Sequence, residues 1–80
     1  MTKEDTISLC KLEKNQLAVI VAITAGDKSA KRLADMGLTP NTHIQILRKT
    51  LFCGPIEIKA RESNLILGKG LAKKILVKKL

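Results

Sequence analysis

The side chains able to do chemistry are few and scattered. His43 is the single histidine. A nucleophile–base arrangement would need a serine or cysteine beside it, and no sequence neighbour of that kind is present. Cys10 and Cys53 are 43 positions apart and belong to no ligand-like spacing. A metal site built from His43, either cysteine or a carboxylate would need a clustered set, which the spacing does not supply. Asp27, Asp35, Glu57 and Glu62 form no paired arrangement suited to acid–base work. Gly68-Lys69-Gly70 is too short for either glycine-rich nucleotide fingerprint. The sequence therefore predicts no catalytic, cofactor or metal site. The two cysteines are expected as reduced thiols packing as small apolar side chains.

Charge is the stronger signal. The 80 residues carry a formal net charge of +8. Residues 1–40 hold six basic against five acidic side chains, and residues 41–80 hold nine against two. A basic second half favours an acidic partner, nucleic acid or anionic lipid. Twelve of the fifteen basic residues are lysine, a hydrated point charge less suited than arginine to shaped phosphate recognition. Phe52 is the only aromatic residue, which leaves little on which nucleic-acid bases could stack. The start, Met1-Thr2-Lys3-Glu4-Asp5, lacks the basic and apolar regions of a signal peptide, and the expected location is the cytoplasm.

Eighty residues suffice for one domain with a modest core of Leu, Ile, Val and Ala. Residues 1–8 are polar and predict a flexible tail, with a single domain over 9–80. Leu9 and Leu12 suit one helical turn. The run Leu17–Thr24 is nearly all apolar and predicts a strand buried on both faces, with Val19 and Val21 in the core.

A short helix is predicted over about Lys28–Met36. Gly37 stands where a helix C-cap takes positive φ, Leu38 can fold back onto Leu33, and Pro40 forbids continuation. Ile44 and Ile46 then alternate with His43 and Gln45, and Ile56–Arg61 has a clean period of two. Glu62-Ser63-Asn64 reads as a turn. Leu65–Leu67 and Lys74–Lys78 complete five short strands with one short helix, a pattern that predicts a small barrel.

Two segments exceed what a barrel core requires. Lys31, Arg32, Asp35 and Met36 surround the helix end, and Leu51, Phe52 and Cys53 form an apolar run in a loop. These seven residues are the candidate partner-binding set, since apolar loop residues often mark an interaction site.

The corner Arg32-Leu33-x-x-Met36-Gly37-Leu38-Thr39-Pro40, then Ile44-x-Ile46, Pro55-Ile56-Glu57-Ile58, Leu65-x-Leu67 and Ala72-x-x-Ile75-x-Val77, resembles the ferrous iron transport protein A (FeoA) family. Asn15 and Asn41 stand where that family usually has turn glycines, and Cys53-Gly54 replaces its usual Gly-Asp. The resemblance implies a mainly β, SH3-like barrel in a small cytosolic accessory protein; that no cofactor is expected comes from the residue spacing above. It also implies a partner, the membrane ferrous iron transporter (FeoB type) with its cytosolic GTPase domain. The alternatives are a regulatory or adaptor barrel related to the C-terminal domains of metal-dependent repressors, and a basic nucleic-acid-binding barrel.

Overall fold

The computed structural model describes residues 6–50 and 54–80. The elements are β1 (Thr6–Ser8), a 3₁₀ turn (Leu9–Lys11), β2 (Leu17–Ile23), α1 (Asp27–Asp35), β3 (His43–Lys49), β4 (Ile56–Ala60), β5 (Ser63–Leu67), α2 (Lys69–Ala72) and β6 (Ile75–Lys79). All strands join one antiparallel sheet in the order β1-β6-β2-β3-β4-β5. Register shifts between Ile20 and Ala22 in β2, and between Ile46 and Arg48 in β3, mark bulges. Such bulges bend a strand and increase its twist, which lets a single sheet wrap one core. The mainly β, SH3-like fold is as the sequence predicts.

Three details differ from the sequence expectations. Thr6–Ser8, assigned to a flexible tail, form a sixth strand, with Ile7 opposite Val77 on β6. A polar three-residue stretch carries no pattern of its own, so its order comes from a distant edge. The β4–β5 turn is Arg61-Glu62, not Glu62-Ser63-Asn64, because Ala60 pairs directly with Ser63. Arg61 takes φ 59 there, as two-residue hairpin turns of the primed types demand. Finally, β2 is not buried on both faces. Ala18 and Ile20 point inward, while Leu17 is 50% and Val21 43% exposed, the opposite phase to the one predicted.

The core lies within the bent sheet. Leu33, Ile46, Ile56, Ile58, Ile75 and Val77 are fully buried, joined by Leu9, Leu12 and Leu38. Each such aliphatic side chain contributes about 1.5–3 kcal/mol relative to exposure. The 3₁₀ turn brings Leu9 and Leu12 inward, and its end is held by a cation. Lys49 Nζ donates to the carbonyl oxygens of Leu12 at 2.6 Å and Cys10 at 3.1 Å. A positive group suits the carbonyl end of a helical turn. Cys10, expected as a reduced thiol, is disulfide-bonded. That expectation rested on compartment, whereas bond formation depends on how closely two Cβ atoms approach, which sequence separation does not reveal.

Candidate functional site

The end of α1 is built by local backbone chemistry. Leu38 N–H donates to Leu33 C=O and Gly37 N–H to Ala34 C=O, both at 2.9 Å, the paired bonds of a Schellman cap. Gly37 has φ 90, and Leu33 and Leu38 are both fully buried. Beyond the cap, Thr42 is the one buried polar residue of the described chain. Its hydroxyl donates to Gly37 C=O at 3.3 Å and accepts from Thr39 N–H at 3.3 Å. Asn41 adopts φ 77, and its N–H donates to Ile20 C=O at 2.7 Å, stitching the corner to β2. Asn15 also has positive φ, at 70, so both asparagines do at their turns what glycine does more cheaply.

This corner presents part of the predicted partner-binding set. Lys31, Arg32 and Asp35 are exposed near the end of α1, and they make no ion pair among the described residues. Met36 is half-buried and packs against the core. Leu33 is the only fully buried residue of α1, so the helix shows solvent a broad charged face. Leu51, Phe52 and Cys53 lie outside the described residues.

A second surface was missed by the sequence. A shallow cleft of about 500 Å³ runs over the outer face of β2, β3 and β4, lined by Leu17, Asn41, Thr42, His43, Ile44, Gln45, Lys59 and Arg61. Strand register assembles it: Leu17 pairs with Gln45, Gln45 with Lys59, and Val19 with His43. The alternation of β3 and β4 does announce that these side chains face outward. That they face the same way, side by side, depends on pairing that no local pattern contains. A smaller depression of about 280 Å³ lies by Arg48, Glu57 and Ile66, where exposed Arg48 and half-buried Glu57 form an ion pair at 3.7 Å.

His43 stands on the exposed outer face of β3, as expected. No group of three or more metal-ligating side chains occurs among the described residues, and none of their helices is long and apolar enough to cross a membrane.

Comparison with known proteins gives consistent results. Residues 7–79 match the FeoA domain family. A protein of Methanocaldococcus jannaschii described as an Fe(2+) transport protein A is 31% identical over 65 residues, 81% of this chain and 77% of that one. A crystal structure of an iron uptake regulatory protein (FeoA) superposes with a TM-score of 0.86 at 33% identity, covering 94% of this chain and 99% of the other. A FeoA-like protein from Clostridium acetobutylicum gives 0.84 at 32% identity, covering all of this chain and 91% of its own. A manganese-dependent transcriptional repressor shares the fold at 0.86 with 20% identity, this chain spanning 42% of its length.

Proposed function

Since the chain belongs to the FeoA family, we propose that it is a cytosolic accessory protein of ferrous iron uptake, binding and modulating the membrane transporter. The observation that carries this reading is the match of almost the entire barrel, residues 7–79, to a family whose relatives are described as iron(II) transport proteins. Iron is the cargo of that system and not a resident cofactor of this chain.

The partner is a transporter of the FeoB type, with a GTPase domain in the cytosol. The exposed charges of Lys31, Arg32 and Asp35, followed by half-buried Met36, offer a docking corner whose backbone is held by the cap that ends α1. The apolar stretch Leu51–Cys53 joins the proposal on sequence grounds. Modulation by a small folded module needs no chemistry of its own, only different affinities for two states of the partner.

The test is a titration of the transporter's purified cytosolic domain with the intact protein, followed by heat of binding. Saturable binding is the expected result, weakened by charge reversal at Lys31 through a slower association rate. Absence of binding to the domain and to the full transporter in detergent would sink the reading. A second reading, a regulatory barrel serving some other partner, has behind it the fold shared with the repressor.

A further inference from the structure

We infer that the outer-face cleft between Leu17, His43, Lys59 and Arg61 is a docking site for an acidic segment of a protein partner, one that alternates carboxylates with an aliphatic side chain. This rests on the reading that the chain acts by binding a protein.

The first observation is charge. Among the described residues the cleft lining holds two permanent cations, Lys59 and Arg61, with the amides of Asn41 and Gln45, and no carboxylate. Lys78 extends the positive rim, since it lies opposite Val19 on β2, whose other neighbour is His43. Carboxylates entering such a site meet complementary potential, and Arg61 can grip one with two parallel N–H donors.

The second observation is exposed apolar surface at the β2 side of the cleft, where Leu17 lines it and Leu80 lies beside Leu17. Leu17 is 50% exposed and Leu80 62% exposed. Leu80 N–H donates to Leu17 C=O at 3.0 Å, so the two residues are backbone neighbours. An aliphatic side chain of the bound segment would cover them. Apolar surface beside a cationic end suits a segment carrying both carboxylates and an aliphatic side chain better than a purely polyanionic one. Among the described residues no Phe, Tyr or Trp lines the cleft, and the imidazole of His43 is its single aromatic ring, a smaller platform than single-strand binders use for successive bases.

The third observation is independent of both. Arg61 occupies a turn position with φ 59, where glycine, asparagine or aspartate would be more stable. Strained backbone that a commoner residue would relieve points to a role for the side chain that occupies it. Arg61 also crosses toward Gly37, where Cδ and Nε stand 3.9 Å from the position a Cβ would take. The side chain therefore reaches from the cleft toward the end of α1 and stays exposed.

The probe is an acetylated, amidated peptide of alternating glutamate and leucine, titrated into the ¹⁵N-labelled intact protein. The expected result is amide shift changes centred on Leu17, His43, Gln45 and Arg61, with affinity falling as salt rises. Arg61→Asn keeps a residue at ease with positive φ, so it should melt at or above the parent temperature while binding the peptide about tenfold more weakly. Shifts centred elsewhere, equal binding by a lysine–leucine peptide, or stronger perturbation of the same amides by an oligothymidylate would each overturn the inference. A parallel titration with the transporter's cytosolic domain separates the two proposals. Equal binding of that domain by the parent and Arg61→Asn removes the cleft and leaves the accessory function standing. Peptide binding at the cleft without any transporter binding does the reverse.

Discussion

Arg61 and Gly37, 24 positions apart in sequence, meet at the surface where the β4–β5 turn lies against the end of α1; a methyl group added to Gly37 would stand 3.9 Å from both Cδ and Nε of Arg61. Both residues have positive φ, 59 and 90. One is glycine and adopts it freely; the other is arginine and does not. The contact distance is ordinary, so neither residue is constrained by the bulk of the other. Two tight turns, each with its own backbone demand, are simply brought together by the sheet.

Gly37→Val is therefore expected to destabilise the fold by roughly 1–3 kcal/mol, through backbone strain and not through collision. Gly37→Asn should cost clearly less, because asparagine tolerates this region. Thermal melts followed by circular dichroism decide the matter. A Gly37→Val protein that melts like the parent would refute the Schellman cap.

Lys49 holds two carbonyls of the N-terminal 3₁₀ segment, and its amine is half-buried. Lys49→Met keeps the aliphatic stem and deletes only the donors. The expected loss is about 1–3 kcal/mol, the range for charge-assisted bonds whose acceptors are left under-satisfied. The urea midpoint should fall with the m-value unchanged. An unaltered midpoint would mean that water replaces the amine without cost.

The phase of β2 can be tested by a pair of substitutions one residue apart. Ile20 is 1% exposed and Val21 43%. Ile20→Ala should cost about 2–5 kcal/mol by leaving a cavity. Val21→Thr, at a solvent-facing strand position, should stay within about 0.5 kcal/mol. The reverse order of effects would place β2 one residue out of register.

Ferrous iron should not bind tightly to the isolated protein. His43 is exposed on β3, and the described residues bring no second and third ligand to it. Anaerobic equilibrium dialysis is expected to show no stoichiometric uptake at about 1 μM free iron. Uptake that disappears in His43→Ala would identify a site that the fold does not reveal.

What the sequence determined by itself were the features written in a few adjacent residues. The helix stop at Gly37, the return of Leu38 onto Leu33, the positive φ suited to Asn15 and Asn41, and the alternation of Ile44 and Ile46 or Ile56 and Ile58 all follow from interactions within six residues. The barrel class followed from counting such segments. The tertiary structure decided whatever depends on strands meeting. In Leu17–Ile23 every side chain is apolar, so no alternation distinguishes the inward face, and the phase is set by pairing with β3 and β6. Thr6–Ser8 became a strand because β6 offered an edge. The cleft, with Gln45 opposite Lys59 and Leu17 opposite Gln45, exists only in that register. A shift of one residue would send its side chains to the other face, and cross-strand register is a long-range property that local spacing does not encode.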